Sequence, residues 1–296
     1  MKGPAIEIVS LCLVIVDFHT HSLASDGALT PSDLLAQAKS AGVTRFAITD
    51  HDTLAGYEAI KTSPLAREVG LISGVELSCR WASVTIHVVG LGFNPSSDAI
   101  TSIIELLTDA RIERAKTIAA RLERSGITGA LLGAQSVAQA SQIGRPHFAQ
   151  WLLQEGHVAS VAEAFDKYLG TGKMGDVKTF WPSMNDVVGA IAAAGGIAIM
   201  AHPLKYKLTG MKLRALLNDF TVAGGRALEV LNGRQTDTDI RRLGQMAESL
   251  GLLVSAGSDF HRSFEYGAAV GVDTERLPSG RYVWDALGEN VFTEIA

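Results

Sequence analysis

The sequence predicts an α/β protein: a distorted (β/α)7 barrel that carries an inserted helical subdomain. Three observations carry this expectation. Short apolar, β-branched runs recur along the chain, helical stretches lie between most of them, and the polar residues following the runs are rich in histidine and carboxylate.

The strand candidates are residues 11–16, 45–48, 70–73, 84–91, 197–201, 227–231 and 252–256. The first belongs to an apolar run over 9–16, far below the roughly 20 residues that a membrane helix needs, so it reads as a buried strand. Residues 31–41 follow as a helix, with Thr30 suited to the N-cap, Pro31 to the first helical position and Ala41-Gly42 to the stop. Residues 184–194, 213–223 and 237–250 repeat the strand-helix logic. Such alternation implies a parallel sheet, and seven units favour a barrel over an open doubly wound sheet. The alternation fails between Asp98 and Trp181, where 103–125 reads as one long amphipathic helix followed by shorter helical pieces and a Gly-rich stretch at 170–175. The expected division is a first barrel part over 1–98, an inserted helical subdomain over 99–182 and a second barrel part over 183–296.

With 296 residues and 47% apolar content the chain can bury a large core, which excludes disorder. A net charge of -5 argues against a broad basic surface for long duplex nucleic acid. No basic leader with a small-residue cleavage site precedes the first strand, so a cytoplasmic protein is expected. Cys12 and Cys79 are too few for a disulfide framework and too far apart for a paired zinc motif, and both are expected as small buried hydrophobes.

Of eight histidines, six sit at or next to a strand with a carboxylate nearby: His19, His21, His51, His87, His202 and His261. In a barrel the residues just beyond the strand ends converge on one rim, so groups distant in sequence can share a site. Asp17-Phe18-His19-Thr20-His21 ends the first strand, and alternation turns both imidazoles to one side, where they can chelate one ion. Asp26, in the turn Ser25-Asp26-Gly27, offers a carboxylate near that rim. Thr49-Asp50-His51-Asp52 ends the second strand and is costly to bury unless something pairs with it. Glu76 follows the third and can bridge two cations through its two oxygens, while His87 lies within the fourth. His202 ends the fifth, and Asp259 and His261 end the seventh with the alternation seen at His19 and His21.

These motifs, in order, resemble those of the PHP superfamily of polymerase-associated and histidinol-phosphatase domains. The Gly144-Arg145-Pro146-His147 segment is similar to one carried by its nucleotide-directed branch, which comprises 3',5'-nucleoside bisphosphate phosphatases and 5'-to-3' exoribonucleases. The resemblance implies the PHP fold and three divalent cations, Mn2+ first, with Zn2+ or Fe2+ as alternatives. It assigns His19, His21, Glu76 and Asp259 to one ion, Glu76, His87 and His202 to a second, and Asp26, His51 and His261 to a third. Some relatives have histidine in place of Asp26. Asp50 has no ligand role in this scheme and is expected to orient ligands. A water shared by two cations would be acidified to attack phosphorus. Arg145 would bind a phosphate, His147 would contact phosphate or protonate the leaving oxygen, and Lys173 is a further phosphate candidate. Near Lys173 the relatives usually carry an aromatic residue where Asp176 stands. His157 has no accompanying motif and is expected to be structural or exposed.

The implied reaction removes the 3'-phosphate from a small-molecule nucleoside 3',5'-bisphosphate, giving a 5'-mononucleotide. Alternatives are stepwise 5'-to-3' cleavage of short 5'-phosphorylated RNA and hydrolysis of another monoester such as histidinol phosphate. Amide hydrolysis is a rival, because amidohydrolase barrels also begin with paired histidines, and a degenerate metal-binding interaction domain is a non-enzymatic one.

Overall fold

The structure is a computed structural model that describes residues 14–177, 180–263 and 267–288. Among them the strands are β1 (Ile15–Asp17), β2 (Val43–Phe46), β3 (Gly74–Trp81), β4 (Val84–Leu91), β5 (Ile197–Met200), β6 (Ala227–Asn232), β7 (Leu253–Gly257) and β8 (Val272–Asp273). They form two sheets, ordered β2-β1-β8 and β3-β4-β5-β6-β7. The start of the expected first strand, with Cys12, lies outside the described residues. Cys79 is buried within β3, as expected.

Three expectations are corrected. The sheet is mixed, not parallel: β3 pairs antiparallel with β4 and β4 with β5, whereas β1-β2 and β5-β6-β7 are parallel. Only Ala82 and Ser83 separate β3 from β4, and a connection that short permits nothing but a hairpin. Ala82 turns the chain with φ 50°, in the left-handed region, without the Asn-Gly or Asp-Gly signal that makes hairpins legible. Secondly, the third strand begins at Gly74, and of the apolar run 70–73 only Leu71 makes a bridge, to Phe46. The run is buried as a connector, which apolarity alone does not distinguish from a strand. Glu76 consequently lies inside β3. Thirdly, the ladders stay open as two sheets. The bridges Phe46-Leu71 and His51-Glu76 lie between β2 and β3, and Thr20-Phe260 lies between β1 and β7. Around these seams the backbone bonds are irregular, as in Asp259 N to His19 O at 2.7 Å and Asp52 N to Glu76 O at 2.9 Å.

The helices form where the caps require. The Thr30 hydroxyl accepts from Asp33 N at the head of Pro31–Ser40, and Ser183, Thr209 and Thr236 do the same for Met184–Ala193, Gly210–Val222 and Asp237–Ser249. Apolar faces of the last three pack on the larger sheet, where Leu77, Ile86, Val88, Ile191, Leu216 and Leu243 are sealed from solvent. Full burial of such a side chain stabilises the fold by about 1.5–3 kcal/mol. The long helix Asp98–Arg124 joins two cores. Ile100, Ile103 and Leu107 belong to the sheet core, whereas Ile118 and Leu122 pack with Phe148, Trp151 and Leu152 of the following helices.

Candidate metal centre

The wholly buried carboxylate of Glu76 is surrounded by imidazoles. His19 Nε2, His51 Nδ1 and His21 Nε2 lie 3.1, 3.1 and 3.2 Å from one oxygen, and His202 Nε2 and His87 Nδ1 lie 2.8 and 2.9 Å from the other. Asp259 Oδ1 stands 3.3 Å from His21 Nε2, and Asp26 Oδ1 stands 3.4 Å from His261 Nε2. All nine candidate ligands fall into four overlapping groups whose ligand atoms lie within 4.8 Å of one another. Those groups are His21 with Asp26, His51 and His261; His19 with His21 and Glu76; His19 with His202 and Asp259; and His51 with Glu76 and His87.

The backbone is bent to make this possible. Asp52, His202 and Asp259 have φ of 55°, 25° and 54°, a conformation that side-chain-bearing residues adopt at a cost of order 1–3 kcal/mol and keep where the surroundings enforce it. At Gly257 a Cβ would lie 2.3 Å from the Cβ of His19, so only glycine lets β7 approach the first histidine.

Buried polar atoms normally have partners. Here His19 Nε2, both ring nitrogens of His21, His51 Nδ1, His87 Nδ1, His202 Nδ1 and Glu76 Oε2 make no hydrogen bond, although several face one another. One carboxylate cannot satisfy five imidazoles. A mixed set of nitrogen and carboxylate donors suits divalent cations, and the residues therefore fit such ions. Electrostatics agree. Burial lowers the pKa of His21, but the carboxylates of Asp259 and Glu76 close to its ring outweigh it and push it up to about 10. His19 is also raised, against its burial, by Glu229 and Glu76. Burial dominates at His51 and His202 and holds both below the usual imidazole range. Burial pushes the carboxyls of Asp26, Glu76 and Asp259 up, yet the surrounding histidines hold all three well below the ordinary range.

Four supporting residues were not foreseen. Glu229, in β6, accepts from His19 Nδ1 at 2.9 Å and from the backbone N of His202 at 2.5 Å. Its signal was a carboxylate inside the apolar run Ala227-Leu228-Glu229-Val230-Leu231, which is costly without a partner. Lys205 forms an ion pair with Asp259. Arg111 donates Nε to Asp52 Oδ2 at 2.6 Å, and Asp52 also accepts from Ser78 N. Arg114 donates to Val177 O. Nothing in the linear pattern marks the last three. Asp50 accepts from Ser22 N and from the hydroxyls of Ser22 and Ser25, which pins the loop carrying His21 and Asp26.

Arg145 heads the helix Arg145–Gln154 and lines a cavity of about 120 Å³ with Asp26, His51, His87, Arg111, Arg114 and Trp181. His147 is engaged at both nitrogens: Gly144 N donates to Nδ1 at 3.0 Å, and Nε2 lies 3.2 Å from Ser141 Oγ. It is placed as a helix cap beside Asp26, in the wall of a separate 330 Å³ cavity. Lys173 is exposed in a turn and lines none of the cavities described here. A third cavity, about 620 Å³, opens beside His202, Asp259 and His261, with Lys205, Arg234 and Arg262 in its wall. His157 is exposed, its ring against Trp151.

The family model for the PHP domain matches residues 17–171. Over 273 residues the chain is 37% identical to a 3',5'-nucleoside bisphosphate phosphatase of Chromobacterium violaceum, spanning 92% of this chain and 96% of that protein. The chain belongs to the PHP domain family. A second relative, a 5'-3' exoribonuclease of Haemophilus influenzae, is 41% identical over 247 residues, 83% of this chain and 89% of its own length. Among solved structures, one from Chromobacterium violaceum called an amidohydrolase, with bound sulfate and no metal, superposes with a TM-score of 0.83 at 36% identity, covering 92% of this chain and 95% of that one.

Proposed function

We propose that this PHP protein is a metal-dependent phosphoesterase that hydrolyses nucleotide phosphate esters, acting on the 3'-phosphate of nucleoside 3',5'-bisphosphates to release 5'-mononucleotides. The observation that carries this is Glu76, a buried carboxylate ringed by five imidazoles whose nitrogens largely lack partners, in a chain similar throughout to a phosphatase of that name. The proposed ligands are His19, His21, Asp26, His51, Glu76, His87, His202, Asp259 and His261, holding three divalent ions, Mn2+ first. When bound, such ions acidify water and neutralise phosphoryl oxygens.

The chain's own residues prepare that chemistry. Glu229 accepts a hydrogen bond from His19 Nδ1–H, which fixes the tautomer whose Nε2 can ligate a metal ion beside Glu76. Asp50 fixes the Ser22–Ser25 loop, and Lys205 offsets the charge of Asp259. Arg145 presents a guanidinium to the cavity beside His51 and His87, suited to a phosphate. His147 positions the start of the Arg145 helix, and a direct phosphate contact requires it to release Ser141. The role of Lys173 would need the Gly-rich turn to move.

The likeness to an exoribonuclease and the 620 Å³ cavity beside His202 favour stepwise 5'-to-3' cleavage of short RNA as the second reading. We also read the bridged sheets as a distorted (β/α)7 barrel, the helices over 99–182 as a substrate-recognition insertion and the protein as cytoplasmic. Among the described residues no helix is long and apolar enough to cross a membrane. The test is phosphate release by Mn-loaded protein from 3',5'-bisphosphates, nucleoside monophosphates, histidinol phosphate and short 5'-phosphorylated RNA, with an amide substrate as control. Preference for the bisphosphate supports the first reading, and mononucleotide release from RNA supports the second. Amide cleavage alone rejects both.

A further inference from the structure

The candidate metal centre touches two cavities that share none of its ligands. The 120 Å³ cavity is lined by Asp26, His51 and His87, whereas the 620 Å³ cavity is lined by His202, Asp259 and His261, so the centre is open on two different faces. A water occupies about 30 Å³ in the liquid, and the smaller cavity therefore holds only a few heavy atoms. The larger has about five times that volume, enough for a nucleoside with its phosphate. Its wall joins the ends of β6 and β7. Gly233 turns the chain after β6 with φ 55°, in the left-handed region, and a Cβ there would stand 3.0 Å from Ser258 O. Arg234 follows that turn, and Arg262 follows His261 beyond β7, so two guanidiniums reach one cavity from separate loops.

The wall carries three cations, Lys205, Arg234 and Arg262, and two carboxylates, Asp239 and Asp259. Lys205 is paired with Asp259, and Asp239 accepts from the Thr236 hydroxyl at the head of its own helix. Among the described residues no hydrogen bond or ion pair engages the exposed guanidiniums of Arg234 and Arg262. The chemistry of the two readings supplies an occupant for them. In a nucleoside 3',5'-bisphosphate and at the 5' end of an RNA strand the bond broken is the same one, between phosphorus and the 3'-oxygen. A hydroxide oxygen joins phosphorus, the 3'-oxygen leaves and takes a proton, and in the strand the phosphate stays on the 5'-oxygen of the next nucleotide. The strand differs only in what the reacting phosphate carries on that oxygen. A site for RNA therefore needs room on a second face of the centre for one more nucleoside, and cations for the phosphate after it.

We propose that the 620 Å³ cavity takes the second nucleotide of a short RNA, with Arg234 and Arg262 on the phosphate that follows it. This rests on the exoribonuclease reading and makes these two arginines the residues that separate strand cleavage from bisphosphate hydrolysis. Neither arginine is among the candidate ligands, and both are exposed, so Arg234→Gln and Arg262→Gln remove charge without opening the core.

Steady-state kinetics of both variants, with melting temperatures as the folding control, should be compared on 5'-phosphorylated triadenylate and adenosine 3',5'-bisphosphate. The expected result is a loss of about 10-fold in kcat/KM on the triadenylate, carried mainly by KM, with the bisphosphate changed little. Equal losses on both substrates would place the first nucleotide in this cavity and overturn the proposal, as would no loss on either. A binding arm does not depend on turnover: a fluorescent, 5'-phosphorylated oligoadenylate with phosphorothioate linkages is titrated into Mn-loaded wild type and variants at several salt concentrations. Each arginine lost from a phosphate should make the slope of log affinity against log salt shallower by about 0.7. If wild type does not cleave the triadenylate yet the variants bind the oligomer more weakly with the shallower slope, the strand site stands and the exoribonuclease reading falls. If cleavage proceeds and the variants alter neither rate nor slope, the reading stands and the strand site falls.

Discussion

Glu76 is the residue on which the centre turns, because its two oxygens face different histidines. Glu76→Gln keeps the shape but supplies no negative charge to hold cations together, so turnover should be nearly abolished while circular dichroism and melting remain close to wild type. Near wild-type turnover would remove Glu76 from the mechanism. The exposed His157 is the contrast, and His157→Ala should retain activity. A subtler prediction concerns Glu229, whose two oxygens accept from His19 Nδ1 on one side and from the His202 N–H and Asn232 Nδ2 on the other. In Glu229→Gln the amide must turn its NH2 either toward His19 Nδ1 or toward the His202 N–H, so one donor always meets another. If His19 adapts by exchanging tautomers, its Nε2 carries the proton and is lost as a ligand. Metal affinity should fall about 10- to 100-fold, measured by competition with a chelator. Unchanged affinity would show that Glu229 only packs. The nine candidate ligands were legible because histidines beside carboxylates at strand ends are an expensive pattern without a purpose. Lys205, Arg111 and Arg114 were not, since an isolated cation acquires meaning only from the partner that folding brings to it.

The helices were read well, because caps and periodicity are local signals: Thr30 and Pro31 mark a start wherever they fall. The sheet was read less well. The β3-β4 hairpin has no standard turn residues, and β3 itself is buried almost throughout, so its alternation is hidden. At this scale the helix Arg145–Gln154 carries a prediction. Arg145 both lines the pocket and ties the helix to Leu169 O in the π-helical turn Phe165–Leu169. Arg145→Ala should therefore cost bisphosphate turnover about one to two orders of magnitude in kcat/KM, and much less with p-nitrophenyl phosphate. Equal losses would place Arg145 on the reacting phosphate. No loss on either substrate would withdraw the helical insertion as the recognition element.

Taken as a whole, the molecule folds around charges that its own groups do not satisfy. The surrounding carboxylates raise His19 and His21 in the metal-free state, and an ion binds an imidazole only as its proton leaves. Metal affinity should accordingly fall as pH falls, and calorimetry in buffers of different ionisation heat should register net proton release. Identical heats in all buffers would contradict this. Ions bound only by the folded chain also stabilise it, so chelation should lower the melting temperature, and an unchanged temperature would mean that the histidine cluster holds no ion. The most direct measurement is elemental analysis of protein saturated with Mn2+ and freed of loosely held metal. The nine grouped ligands predict close to three ions per chain. No more than one ion per chain at saturation would contradict the trinuclear centre.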